Sequence, residues 1–261
     1  MRKKYVRLTS YAASWSPRFG GLSLLLLVIS SLLHRFSFIR TNVFLILSAL
    51  AGVFALTALA LALKGLFDLW KNGDRGGLKS LKGIVYSFIT LTPIAAFLLM
   101  WSVMPPLADI STDTDTPPRF ITGTRPVDAL PVSVDLSGQA VLQLKEWPEL
   151  SGRRYDGSPD RILKSVRNVL DTEGWPIKAQ RGVDGEDEQL FIETEAKTFY
   201  LGFASDIVIR LTDEGDTTFV DMRSASRYLS RDLGVNAAFI LTFMDALDTE
   251  MLSTPVDQDK E

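Results

Sequence analysis

Two stretches of this chain carry no Asp, Glu, Lys or Arg for longer than a lipid bilayer is thick. Thr41–Leu63 runs 23 residues between Arg40 and Lys64, and Gly83–Ala108 runs 26 between Lys82 and Asp109. About 20 helical residues cross the hydrocarbon core, and only a helix or a closed barrel satisfies its own backbone there. Both stretches therefore predict transmembrane helices. A third apolar run, Phe19–Leu33, is 15 residues long and short on its own. It reaches spanning length through His34 and Arg35 to Ile39, with Arg35 extending back to the interface. The predicted spans are about 19–39, 41–63 and 83–104. A signal peptide would also begin with basic residues, but no small-x-small cleavage site follows this run, which continues Leu32-Leu33-His34-Arg35-Phe36.

Charge gives these spans a direction. Residues 1–104 hold 12 Lys/Arg and only two acids, Asp68 and Asp74, for a net +10; residues 105–261 hold 16 Lys/Arg and 29 Asp/Glu, for a net −13. Within the first part, residues 1–18 carry five basic residues and Lys64–Lys82 carries five more, whereas the loop after span one has only Arg35 and Arg40. Lys and Arg concentrate on the cytoplasmic side of short loops. Three crossings put both basic stretches in the cytoplasm and the acidic part outside; two crossings would export the basic N-terminus.

Composition excludes several chemistries. The chain has no cysteine and one histidine, His34, so disulfides, thiol nucleophiles and two-imidazole metal sites are absent. Spans two and three hold no Asp, Glu, Lys or Arg, which argues against a channel or proton-coupled transporter. His34 falls at a predicted membrane boundary and is read as an interfacial residue. Ser48, Ala51, Gly52, Ala55, Ala58 and Ala62 recur at three- or four-residue spacing, which suits close helix approach, either within one bundle or in a dimer. Pro93 interrupts span three, where the hydroxyls of Thr90 and Thr92 can satisfy freed carbonyls.

Beyond the spans, Pro105-Pro106 and a Ser/Thr/Asp/Pro-rich stretch predict an extended acidic tether over residues 105–130. Asp109, Asp113 and Asp115 within it lack the Gly and Glu of a calcium loop. Residues 131–252 are predicted as an α+β domain, an antiparallel sheet with two helices on one face, behind the all-α bundle of three transmembrane helices; residues 253–261 are expected to be a disordered acidic tail. Ser158-Pro159-Asp160 starts a helix that buries Ile162, Val166, Val169 and Leu170 and ends at Gly174. Trp175–Ala179, Gln189–Ala196, Thr198–Phe203, Ile207–Leu211 and Thr218–Met222 alternate as strands. A last helix covers about Leu233–Met251 and buries Val235, Phe239, Phe243, Ala246 and Leu247.

The densest polar segment is Arg223-Ser-Ala-Ser-Arg227-Tyr-Leu-Ser-Arg231-Asp-Leu-Gly-Val-Asn236. Arg223, Arg227 and Arg231, with Ser224 and Ser226, are candidate binders of an anionic group, because guanidinium forks take phosphate or carboxylate bidentately. Arg153 and Arg154 are candidates for a second clamp. The same residue types also serve structure: Ser158, Ser230 and Asp232 as caps, Gly234 and Asn236 at a turn, and Asp221 and Arg223 as partners of Arg210, Glu193 and Glu195 on an exposed sheet face. No catalytic nucleophile–base pair, metal site or cofactor motif is visible, so the chain is not expected to be an enzyme.

At this segment the sequence resembles the DUF1499 domain proteins of proteobacteria, a family without an assigned function. The resemblance rests on Val220-Asp-Met-Arg-Ser-Ala-Ser-Arg227 followed by Asp232-Leu-Gly-Val-Asn236, with support from Asp109-Ile-Ser-Thr-Asp113, Pro117-Pro118 and Arg154-Tyr-Asp-Gly157. It covers roughly residues 105–250. It implies kinship and a shared domain and transfers no reaction; with the charge-derived topology, the expected location is the bacterial inner membrane, with the N-terminus cytoplasmic and the C-terminal domain periplasmic. The expected partners are the lipid bilayer and either an anionic lipid or glycan or another membrane protein. Nucleic acid is disfavoured by the acidic domain.

Overall fold

The computed structural model describes residues 8–121, 125–126, 129–133, 136–182 and 189–253. Two compact units emerge: the chain up to Val103 with Tyr200–Gly202, and the remainder from Met104.

The first unit holds helices α1 (Tyr11–Arg35), α2 (Thr41–Asn72) and α3 (Gly77–Val103). All three are long and apolar enough to cross a membrane. At 1.5 Å per residue, the 32 residues of α2 reach about 48 Å, beyond the hydrocarbon core at one or both ends. The helices outrun the apolar stretches because those mark lipid contact, whereas caps set helix ends. Thus α1 begins at Tyr11 rather than near residue 19, with Ser10 Oγ accepting the Ala13 N–H (3.3 Å) and donating to Asp68 (2.8 Å).

This bundle places small residues inside and large apolar ones outside. Ala51, Ala55, Ala58 and Ala62 are fully buried, whereas Ile46, Val53 and Leu56 are exposed. A Cβ on Gly83 would lie 1.5 Å from Ser16 Oγ, so α1 and α3 touch backbone to side chain there. The small-residue spacing is thus used in packing among the chain's own helices, where lipid supplies no hydrophobic drive and close contact must hold them. Pro93 lies inside α3, and Thr90 and Thr92 donate to the carbonyls of Tyr86 (3.0 Å) and Phe88 (2.7 Å). His34 is buried, with Nε2 2.9 Å from Thr41 Oγ1 and its ring stacked on Phe44 at 4.7 Å.

The second unit is α+β. Its elements are β1 (Asp109–Ser111), α4 (Ser137–Glu146), β2 (Arg153–Asp156), α5 (Pro159–Thr172), β3 (Ile177–Arg181), β4 (Gln189–Lys197), β5 (Ala204–Asp213), β6 (Thr217–Ser226) and α6 (Val235–Ser253). The strands form one antiparallel sheet in the order β1-β6-β5-β4-β3, and β2 shares the β6 edge with β1. Ile192, Ile207, Ile209, Leu211, Val220 and Met222 line one face and meet Ile162, Val166 and Leu170 of α5 and Ile240, Phe243 and Leu247 of α6. Each such side chain, fully buried, contributes about 1.5–3 kcal/mol of hydrophobic stabilisation.

Several expectations need correction. The segment 105–130 is no free tether: Leu107 and Ile110 are buried, and Asp109–Ser111 pairs with Arg223–Ala225. Asp109 and Asp113 give it the composition of a linker, yet they pair with Arg223 and Arg210, distant in sequence. Thr198–Phe203 is not a strand but the loop joining β4 to β5, closed by the Thr198 N–H on Phe203 O at 3.0 Å. Helix α4 was not expected, since its apolar Val141 and Leu144 face outward while Gln143 is buried. That glutamine accepts the Ser111 N–H (3.2 Å) and donates to Ser111 O (2.7 Å), replacing a neighbouring strand and closing the sheet edge. In α6 the buried stripe runs through Asn236, Ala237, Ile240, Phe243, Met244 and Leu247, leaving Val235 half-buried. Ser158 stands at the start of α5 without a side-chain capping bond. The tail expected over 253–261 lies outside the described residues, apart from Ser253 at the end of α6.

Candidate functional site

The arginine segment straddles the end of β6 and the turn into α6, and alternation along β6 sends its side chains to both faces. Met222, Ser224 and Ser226 face the helices; Asp221 and Arg223 face the opposite side. That second face is the charged one. It is not exposed as expected, because the described residues of 112–133 pass over it as a strap. Thr112 donates to Asp221 (3.1 Å), Ile121 N–H to Glu193, and Leu130 N–H to Arg227 O (2.6 Å).

Arg223 is 3% exposed, and its fork meets Asp109 squarely: Nε to Oδ1 and Nη2 to Oδ2, each 2.8 Å. Its remaining donors reach Pro118 O (3.2 Å) and Ser133 O (2.6 Å), and its guanidinium lies 5.5 Å from the Phe120 ring centre. Asp109 also accepts the Ser133 N–H at 3.0 Å. A side chain so enclosed has no fork to offer a ligand, and the binding role expected of Arg223 is corrected to a brace between β1, β6 and the strap.

Arg227 lies between two carboxylates. Nε donates to Asp206 at 3.0 and 3.1 Å, Nη2 reaches the same residue, and Nη2 also lies 2.6 Å from Glu195. Burial alone would make the guanidinium easier to deprotonate, but Asp206 and Glu195 outweigh it and hold the proton more firmly than usual. Burial likewise pushes the Glu195 carboxyl up, and Arg227 with Lys197 outweighs that and holds it below its ordinary 4.5. Arg125 of the strap joins the cluster, donating to Asp206 (2.8 Å) and Ser226 O (2.9 Å). Arg231 donates to Met104 O at 2.7 Å.

Further along the face, Arg210 is shared. It donates to Asp221 at 2.6 Å, to Asp113 at 2.9 Å and to Thr116 O at 2.9 Å. The two carboxylates respond differently. Burial raises the proton affinity of Asp221 above the ordinary 3.8 despite Arg210 and Thr112. Burial pushes the more open Asp113 up as well, but Thr116, Arg210 and Asp115 together outweigh it and hold that carboxyl below 3.8. Asp109 and Asp113 are thus occupied by arginines, and no group of three or more metal-ligating side chains occurs among the described residues.

On the helix side, Ser224 donates to Asn236 Oδ1 (2.8 Å), and Asn236 Nδ2 donates to Ala108 O (2.9 Å) and Ser226 Oγ (3.2 Å). Both serines are therefore tied to a buried asparagine rather than turned to a ligand. Asp232, and not the exposed Ser230, caps α6: its carboxylate accepts the N–H of Gly234 (3.1 Å) and Asn236 (2.6 Å). Leu233 and Gly234 both take positive φ, 56° and 81°, to make that cap.

Arg153 and Arg154 do not converge on this cluster. They lie in β2, opposite Val220 and Phe219, and turn to Ser151 and Asp248 and to Glu214 respectively. Sequence reasoning missed Asp109, Asp113, Arg125 and Asp206 as members of the network. The available signal was the alternation of charge on one strand face, Arg210 on β5 with Asp221 and Arg223 on β6.

Residues 109–247, just over half of the chain, match the family model "Protein of unknown function (DUF1499)". The chain belongs to the DUF1499 family. The match begins at the first residue of β1 and ends within α6, so the DUF1499 domain comprises the whole sheet with its strap. Among solved structures, the crystal structure of TTHA0849 from Thermus thermophilus is similar at 10% identity over 40% of this chain and 95% of that one, with a TM-score of 0.22 that carries no argument about function. No curated protein matches the chain.

Proposed function

We propose that this DUF1499 protein is a non-catalytic interaction module, anchored in the bacterial inner membrane by three helices, with its N-terminus in the cytoplasm and its DUF1499 domain in the periplasm. The observation that carries the reading is the engagement of Arg223, Arg227 and Arg231 by carboxylates or carbonyls within the domain. Groups that suggested an anion site are engaged inside the domain, Arg223 with the strap, Arg227 with the sheet carboxylates and Arg231 with Met104 O, which leaves recognition to the outer surface. The reading of orientation is supported by the two basic stretches, which share one side when α1 and α2 both cross, and a crossing by α3 then carries the acidic domain to the other side.

The test is crosslinking and pull-down of the intact protein from native membranes, alongside binding to vesicles containing anionic phospholipid. A stoichiometric protein partner supports the module reading. Vesicle or glycan binding that disappears in a folded Arg223→Gln, Arg227→Gln, Arg231→Gln variant would instead make the arginines a binding site and overturn it. Reporter fusions before α1 and after α6 check the orientation.

A further inference from the structure

We propose that the loop between β4 and β5 is a second membrane contact of the chain, with Phe199 and Tyr200 seated at the lipid headgroup boundary. The loop is built to present them. Thr198 and Phe203 close it through two bonds, backbone N–H to carbonyl at 3.0 Å and the Phe203 N–H to Thr198 Oγ1 at 2.9 Å. Gly202 takes φ +73° at its end. At the tip Phe199 is 77% exposed and Tyr200 84%. A soluble domain rarely spends two adjacent large aromatics this way, whereas aromatic side chains gather at membrane interfaces, where the ring is sheltered and a phenol stays wet.

Sheet register decides which end of the domain this loop occupies. Asp109 stands opposite Ala225, Ala225 opposite Asp206, and Asp206 opposite Glu195, so these four form one row across the sheet. β1 enters at that row and β4 runs out of it toward the loop. The chain therefore leaves its last apolar helix and joins the sheet at the end where the aromatic tip lies. Val103 ends α3 and Asp109 begins β1, and six such steps span no more than about 20 Å even fully extended. The tip is thus on a short leash, which makes its meeting with the bilayer an intramolecular event. The turn at the opposite end of the sheet carries Asp213, Glu214 and Asp216 and suits water rather than a membrane surface.

A bilayer fits this tip better than a protein does. Stable protein interfaces cover about 800 Å² per partner, far more than two side chains offer, and a fluid interface accepts single aromatic residues. The proposal rests on membrane insertion of α1–α3 and not on the module reading above.

The absence of native cysteine allows a direct test. Phe199→Cys and Tyr200→Cys would be spin-labelled in the full chain, reconstituted into phosphatidylcholine–phosphatidylglycerol vesicles, with Leu50→Cys in α2 and Glu214→Cys in the acidic turn as references. The expected result is several-fold less collision with a water-soluble nickel chelate at 199 and 200 than at 214, with oxygen collision raised toward the value at 50. Nickel collision equal to that at 214 would overturn the proposal. Shielding from both reagents would overturn it too, in favour of a protein contact. A nickel-accessible label at 50 would remove the membrane reading itself, and this proposal with it.

Discussion

Replacing Arg223 by Met separates a structural brace from a ligand site. The substitution keeps the length of the aliphatic stem and removes the fork, leaving the Asp109 carboxylate 7% exposed with the Ser133 N–H still bound to it. Removing one partner of a buried, hydrogen-bonded ion pair costs about 3–5 kcal/mol, because the remaining charge has neither water nor counter-ion. With a urea dependence of about 2 kcal/mol per molar, the unfolding midpoint of the sheet falls by about 2 M. That is a large share of the roughly 5–15 kcal/mol holding a typical domain. The assay is urea unfolding of the full chain in detergent, followed by amide hydrogen exchange in β5 and β6. Arg154→Met serves as reference: its partner Glu214 is on the surface, and the midpoint is expected to stay put. Pairing Arg223→Met with Asp109→Leu removes both charges, and the double variant should recover part of the loss, a coupling of about 1–3 kcal/mol. Single variants whose costs simply add, or an Arg223→Met midpoint within about 0.3 M of wild type, would refute the reasoning.

Other consequences follow from the same contacts. Glu195 has a folded-state proton affinity below its ordinary 4.5, so its stabilisation is complete above that ordinary value and is lost as pH falls through the lowered one; Glu195→Gln should flatten the acid limb of a stability profile below 4.5. Asp221 runs the other way, raised by burial, so its contribution is complete below 3.8 and is lost as pH rises through the raised value; Asp221→Asn, which fixes the neutral form, should remove that decline from the same profile. Asn236→Ala leaves Ala108 O, Ser224 and Ser226 without their shared partner and should cost about 1–3 kcal/mol by the same exchange measurement. Gly83→Ala drives a Cβ into Ser16 Oγ and should lower the helix bundle's resistance to SDS unfolding by about 1–3 kcal/mol, with relief on adding Ser16→Gly. Gly21→Ala, with nothing within 4 Å, should leave it unchanged.

Much of the domain was legible because its period changes where its structure does. The spacing of Ile162, Val166, Val169 and Leu170 and the Gly174 stop marked α5. Alternation of Ile207, Ile209 and Leu211 placed the core face of β5 correctly, and Val220 with Met222 did the same for β6. Failures came where a polar side chain does the work of a backbone or of an apolar one. Gln143 stands in for a strand at the sheet edge, so α4 has no apolar stripe to announce it. Thr198–Phe203 has the composition of a strand, yet its hydrogen bonds close the loop on itself. Asp109 and Asp113 lie in a stretch with the composition of a solvated linker and turn out to be counter-ions of Arg223 and Arg210.

Read alone, the chain determined its apolar helices, its charge asymmetry and its family membership, because hydropathy, charge and motif spacing are local and accumulate along the chain. The use made of each arginine was decided only in three dimensions. Arg223 and Asp109 are 114 residues apart, and nothing within either neighbourhood names the other. They meet because the register of β1 on β6 sets Asp109 beside Ala225 while the strap closes over both. A guanidinium is the same donor whether it faces water, a phosphate or a buried carboxylate, so its role depends on which acceptor the fold brings to it.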